Sequence, residues 1–367
     1  MMRPAISSMT RNSTRLEMFI IQWHITERCN WRCHHCYQDN SCKPPDLNLN
    51  QLLHILDNCL SLNIDQNKKI AFSITGGEPM IRKDFFKFAE KLAHNLDSCG
   101  YVWRILSNGS FVTKENASRL KDLNLQRFQV SMEGMEKTND SIRGKGAFNK
   151  TVNSIKTLVK SKVPVSVSFT LTKQNISDVF PLASFLKSIG VATLGVRRFV
   201  PIGTGSQLKK NTVTSEELRE LYLKILEFNK KTNIGGLIIN TGCESAIFNE
   251  DLLADNFTTS TSNRFFHSCG VSVGKCFTIM SNGDIVACRR MPIKIGNALK
   301  DNIYDIYCSD TMVKLRDVNK ANSRCKNCSN FSSCLGGAKC ITYAYTGKWN
   351  MPDPQCWKIK SDSKLTS

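Results

Sequence analysis

The 367-residue chain contains no apolar run long enough to cross a membrane, and its N-terminus sets no long apolar stretch beside the scattered Arg3, Arg11 and Arg15. This argues against a membrane-spanning protein and a secretory signal peptide, so a cytoplasmic location is expected. Acidic residues are also in deficit, 31 against 50 lysines and arginines, for a formal net charge of +19. The lysines are spread along the whole chain and form no single basic stripe. The first reading is therefore a solvated surface and the second an anionic partner such as an acidic peptide; nucleic acid is not expected. A hydrophobic content of 41% is ordinary and implies a packed core. The length suits one barrel-sized unit plus a smaller domain.

From residue 18 to about residue 232 a short β-branched or aromatic run, a polar loop and an amphipathic segment recur. The strand candidates are Phe19–Ile25, Ile70–Ile74, Val102–Leu106, Arg127–Ser131, Val165–Leu171 and Thr193–Val196. Helix candidates follow near 48–61, 84–97, 114–121, 149–160, 178–188 and 215–230. Six β/α units in series predict a parallel sheet with outer helices, which fits either a doubly wound sheet or a barrel.

Sixteen cysteines in a chain this long, without a signal peptide, do not read as a secreted disulfide scaffold. They cluster at ligand spacings. Directly after the first strand stands Cys29-x3-Cys33-x2-Cys36, followed by Tyr37. Three thiolates give a four-iron cluster one ligand too few, and the open iron is a place to bind and reduce something. A structural zinc site or a disulfide pair are the plainer alternatives for this triple alone.

The triple followed some forty residues later by Thr75-Gly76-Gly77-Glu78-Pro79 resembles the radical S-adenosylmethionine (radical SAM) enzymes. The resemblance implies an open, partial (β/α)6 TIM-like barrel with its chemistry at the C-terminal strand ends. It also implies that the open iron chelates the methionine moiety of SAM, which is then cleaved to a 5′-deoxyadenosyl radical. Gly76, Gly77, Glu78 and Pro79 would then hold the methionine amine, with Tyr37, Ser107 and Asn108 on the same rim. Ser131 and Arg143, in a segment similar to the family's Ser-Leu-Asp-Gly … Arg-Gly, would hold the ribose or carboxylate, with Glu133 in place of the usual aspartate. Arg198, at the start of the segment running to Gly203, would lie near the adenosine.

The C-terminal third carries eight further cysteines, Cys269, Cys276, Cys288, Cys325, Cys328, Cys334, Cys340 and Cys356. This pattern resembles the SPASM extension of radical SAM enzymes; the rival reading is two zinc knuckles. By the resemblance, Cys269, Cys276, Cys288 and Cys340 hold one auxiliary cluster and Cys325, Cys328, Cys334 and Cys356 the other. The five residues Leu335–Lys339 before Cys340 exceed the family's usual three. The implied organisation is a tail (1–17), the barrel (18–235), a linker (236–268), the SPASM unit (269–358) and a second tail (359–367). Cys42, Cys59, Cys99, Cys243 and Cys308 remain. Most are expected to be buried as small hydrophobes. Cys243 lies between barrel and extension and is a candidate hydrogen donor to a substrate radical.

Together these readings point to a radical SAM oxidoreductase or maturase with three [4Fe-4S] clusters and SAM. Its expected substrate is a ribosomally made peptide, modified by crosslinking, thioether formation or epimerisation. The alternative is a small-molecule dehydrogenase or cofactor-biosynthesis enzyme. A flavodoxin or ferredoxin is expected as reductant. Because only about seventeen residues precede the barrel, a leader peptide is expected to bind the barrel or extension directly, or through a separate protein. Anaerobic reconstitution should yield about twelve irons per chain, falling to about eight when Cys29, Cys33 and Cys36 are replaced by alanine. Stoichiometric zinc without iron would overturn this reading.

Overall fold

A computed structural model of the chain describes residues 17–38, 45–62, 68–232, 236–241 and 268–359. Its strands β1 (Glu17–His24), β2 (Lys68–Thr75), β3 (Val102–Ser107), β4 (Arg127–Ser131), β5 (Val165–Leu171) and β6 (Thr193–Arg198) pair in sequence order, all parallel. Helices α1 (Leu49–Leu60), α2 (Phe85–Cys99), α3 (Lys114–Asp122), α5 (Ala147–Lys160), α6 (Val179–Ser188) and α7 (Ser215–Lys231) follow the strands as expected. One helix goes beyond the sequence pattern: α4 (Glu136–Arg143), a polar helix that buries only Asn139 and Ile142. So little apolar surface leaves no periodic signal.

The helices start where their sequences cap them. Asn48 and Gln51 form a reciprocal capping box on α1, as Thr214 and Glu217 do on α7. Leu52, Ile55, Leu56 and Cys59 then bury one stripe of α1. Along β1, Phe19, Ile21 and Trp23 are fully buried, and Trp23 meets Phe88 of α2 edge-to-face at 5.3 Å. By alternation Gln22 and His24 take the opposite, concave face, as do Ser73 and Thr75 on β2 and Ser131 on β4. The convex face is thus an apolar core and the concave face a polar one.

The sheet continues past the sixth strand at both ends. Within the segment expected to link the two units, β7 (Ile238–Asn240) adds a parallel strand beside β6. At the other edge β8 (Cys276–Ile279) pairs parallel with β1, Ile20 opposite Cys276 and Trp23 opposite Ile279. Strands β9 (Asp284–Cys288) and β10 (Met291–Asn297) follow antiparallel. The result is one ten-stranded open sheet in the order β10-β9-β8-β1-β2-β3-β4-β5-β6-β7. The cysteine-rich unit is therefore the far edge of the barrel sheet. Short helices α8 (Ile303–Cys308), α9 (Asp310–Arg316), α10 (Ser323–Lys326), α11 (Phe331–Cys334) and α12 (Lys339–Thr346) complete it. No described helix is long and apolar enough to cross a membrane.

A second tie crosses from β6. The Arg198 guanidinium is 1% exposed and bonds Asp353 in a fork, Nη1 to Oδ1 at 3.1 Å and Nη2 to Oδ2 at 2.8 Å, with Gln355 Oε1 at 3.1 Å. The structure thus commits the Arg198 side chain, expected near the adenosine, to joining barrel and C-terminal unit. Arg198→Ala leaves Asp353 buried and unpaired, and should cost about 3–5 kcal/mol in urea unfolding. Replacing both residues by apolar ones should recover much of that loss. A cost under about 1 kcal/mol would show that the pair does not hold the units together.

Candidate active site

The cysteine loop leaves β1 and is gripped from four sides. The β1–β2 ladder runs on into it: Ile25 N donates to Thr75 O at 2.9 Å, Gly77 N to Thr26 O at 2.9 Å and Glu78 N to Arg28 O at 2.8 Å. This explains the glycines. A Cβ on Gly76 would stand 2.2 Å from Thr26 O, and one on Gly77 2.2 Å from Arg28 O. The close approach these glycines allow is to the chain's own cysteine loop.

Glu78 is fully buried. Its carboxylate accepts from Ser107 Oγ at 2.9 Å, Asn108 N at 2.8 Å and Met80 N at 3.1 Å. Three donors on two oxygens leave one of about four lone-pair sites for a further donor. Asn108 in turn donates to Asn30 Oδ1 at 2.9 Å and approaches Cys29 Sγ at 3.9 Å. The loops after β1, β2 and β3 therefore form one hydrogen-bonded unit.

From β4 comes Glu133, 1% exposed, facing His35 Nε2 at 3.0 Å, Arg143 Nη2 at 2.5 Å and the Thr170 amide at 2.5 Å. Burial alone would raise its pKa, but the Arg143 and His35 charges prevail and hold it below the ordinary carboxylate value. Arg143 also reaches Cys33 Sγ at 3.7 Å. It thus bridges the sequence-flagged acid and a cysteine of the triple. The Ser131 hydroxyl has no hydrogen bond among the described residues. From β6, Gly205 N donates to Cys36 O at 2.8 Å, and a Cβ on Gly203 would meet Tyr37 O at 2.3 Å. Tyr37 packs edge-to-face on His24 at 6.1 Å and under Arg289, the neighbour of Cys288, at 5.0 Å.

The eight C-terminal cysteines fall in two regions of the extension. Cys269 and Cys340 share one buried cluster, against which Cys276 and Cys288 pack. Cys325, Cys328, Cys334 and Cys356 line one partly open pocket with Phe331, Gly336 and Asp353. Burial pushes the thiols up, to about 11 in Cys33 and Cys325 and about 12 in Cys334. Such groups stay protonated until a metal displaces the proton. Among the described residues no three His, Cys, Asp or Glu side chains are gathered closely enough for a single metal ion. All-thiolate sets suit an iron–sulfur cluster by the chemistry of their donors. Of the remaining cysteines Cys59 is buried, whereas Cys99 and Cys308 are exposed, against the expectation of burial; they end helices on the solvent side. Cys243 and Cys42 lie outside the described residues.

Residues 23–186 match the radical SAM superfamily, and residues 269–329 match the SPASM iron–sulfur cluster-binding domain. This chain carries a radical SAM domain followed by a SPASM domain. Such a radical SAM domain works with SAM and a [4Fe-4S] cluster, and the SPASM domain binds further iron–sulfur clusters. The chain is 25% identical over 346 residues to an AdoMet-dependent heme synthase of Methanosarcina barkeri, covering 92% of this chain and 95% of that protein. It is 26% identical over 365 residues to the mycofactocin maturase MftC of Mycolicibacterium smegmatis, covering 92% and 82%. In fold it is similar to Streptococcus suis SuiB bound to its precursor peptide SuiA, with a TM-score of 0.72 at 17% identity over 93% of this chain and 76% of that one.

Sequence reasoning missed His35 and Asn30 as supports of the triple, and Asp353 altogether. Glu133 stood out as a departure from the family's aspartate, which was the available signal. A pH dependence follows from Glu78, whose carboxyl burial pushes from 4.5 up to about 7 against its hydrogen-bond donors. Between those values only the folded state holds the proton. The stability from this group is present below the ordinary pKa and is lost as pH rises through 7. From about pH 5 to about pH 8 the anaerobic protein should therefore lose up to about 3 kcal/mol more than Glu78→Gln does. Parallel pH profiles of the two in urea unfolding would refute this.

Proposed function

We propose that this radical SAM enzyme abstracts a hydrogen atom from a ribosomally made peptide and oxidises it, using three [4Fe-4S] clusters. The observation that carries the reading is that β1, which leads into the three-cysteine loop, is paired along its other edge with β8, which starts at Cys276 of the first four-cysteine set. When bound, SAM on the reduced cluster of Cys29, Cys33 and Cys36 supplies the hydrogen-abstracting radical. Glu78 offers its remaining acceptor site to the methionine ammonium, while Gly76 and Gly77 let the second motif seat against the cysteine loop. Arg143, charge-balanced by Glu133, keeps a cation beside Cys33. Fully thiolate-bound irons have no vacant position, so the C-terminal sets suit acceptance of the electron left on an oxidised substrate.

The peptide reading is supported by the MftC relatives and by the excess of basic residues, which suits an acidic leader segment. The heme synthase relatives favour a second reading, an oxidation on a small molecule. Anaerobic co-expression with peptides encoded by neighbouring genes, followed by mass spectrometry, separates the two. In Cys340→Ala, 5′-deoxyadenosine should still form while oxidised peptide falls far more. An epimerase would instead depend on a hydrogen donor such as Cys243 and would tolerate Cys340→Ala. Unmodified peptides throughout would overturn the peptide reading.

A further inference from the structure

Arg104 of β3 and Arg127 of β4 are direct partners in the parallel β3–β4 register. The next pair, Ile105 and Phe128, is fully buried in the core on the convex side, so alternation turns both arginines to the concave face. Neighbouring strands lie about 4.8 Å apart, and like charges side by side at that spacing repel. Among the described residues neither arginine has a carboxylate within ion-pair distance. Arg104 is half-buried, and its Nε is fully buried without a hydrogen-bond partner. Burial first, and the Arg127 charge after it, lower its pKa to about 10, so it is still charged at neutral pH. A cation drawn out of water beside a second cation calls for an anion.

The surrounding concave face is polar and largely unused. The arginines end a row that crosses the sheet through Gln22 and Ser73. One step towards the rim Gln129 stands beside Ser166, whose Oγ is buried without a partner, and the step after that pairs Ser131 with Ser168. From β6, Arg197 folds over the same face: its Nη1 bonds Asn240 O at 3.1 Å, and its Nη2 lies 3.3 Å from where a Cβ on Gly195 would stand. The acid that follows β4, Glu133, is already held by Arg143 and His35.

We propose that Arg104 and Arg127 form the anion-binding floor of the substrate site and hold a carboxylate of the substrate between their guanidiniums. The planar guanidinium fork matches a carboxylate in geometry as well as charge. Arg104 stands three residues before Ser107, whose hydroxyl holds Glu78 at the rim. At about 3.3 Å per residue the floor is about 10 Å below that rim, so the pair selects substrates by the distance from their carboxylate to the C–H bond presented above. This deepens the reading of the barrel as the site of hydrogen abstraction, and names a group that an acidic peptide residue and a small carboxylic acid share.

The test is binding to the full, anaerobically reconstituted chain by titration calorimetry, with neither SAM nor turnover. The probes are the pentapeptide Gly-Gly-Glu-Gly-Gly and glutarate, each beside its neutral amide, Gly-Gly-Gln-Gly-Gly or glutaramide. At least one carboxylate probe should bind the parent while its amide does not, and Arg104→Gln and Arg127→Gln should each weaken that binding by about tenfold. Binding of the pentapeptide alone assigns the carboxylate to a peptide, and binding of glutarate alone to a small acid. Without a probe both variants should unfold in urea at or above the parent midpoint, because the repulsion is relieved. Variants unfolding well below the parent, carboxylate binding unchanged in both variants, or no carboxylate binding to the parent would overturn the anion site. The site can fail in this way while 5′-deoxyadenosine is still formed, and a parent that binds carboxylates but takes up no iron would overturn the radical reading and spare the site.

Discussion

Everything in this molecule depends on β1 being hydrogen-bonded along both edges. On one side β2 brings the Gly76-Gly77-Glu78 turn against the cysteine loop; on the other, β8 brings Cys276 opposite Ile20. A strand held on one side only would leave the loop after it free to move relative to the C-terminal sulfurs. Paired on both, it sets their separation by the fixed spacing between neighbouring strands. Backbone hydrogen bonds, which no side-chain change removes, thus carry the geometry between the reactive loop and its auxiliary neighbour.

Around that frame the charges are buried in compensated sets. Glu133 sits among Arg143, His35 and the Thr170 amide, and Arg198 is forked onto Asp353. Each arrangement is costly to break singly, since the orphaned partner stays out of water. Their stabilisation is modest when intact, so their value lies in orientation. Glu78 is the exception: it is held by neutral donors alone, so its carboxyl is pushed up towards neutrality.

The six β/α units were legible because strands with β-branched runs and helices with buried stripes write their period into the sequence. The strand bounds differ by two residues or fewer, as at β1 and β6. The sheet extension was not legible, because β7 has three residues and β8 four, too few for alternation to register. The pairing of the C-terminal cysteines is what the family resemblance implies; the structure buries Cys269 and Cys340 in one cluster and sets Cys325, Cys328, Cys334 and Cys356 around one pocket. What spacing could not reveal was the use of the polar partners. Arg198 and Asp353 are 155 positions apart, and Asn30 reaches Asn108 across 78. Such pairs exist only once the chain is folded, and neither residue type announces its partner.

The stretches recognisable as radical SAM and SPASM look like separable modules on the page, with a long interval between them. The fork from Arg198 to Asp353 says otherwise. Asp353 also bonds Ala338 N beside the second cysteine set, so the barrel's arginine anchors a wall of that site. A barrel cut free of its C-terminal part would expose the edge of β1 and strand a buried guanidinium. Exchanging this C-terminal part for a relative's would demand that the residue at position 198 travel with it. Heredity can shuffle such a unit only as a pair.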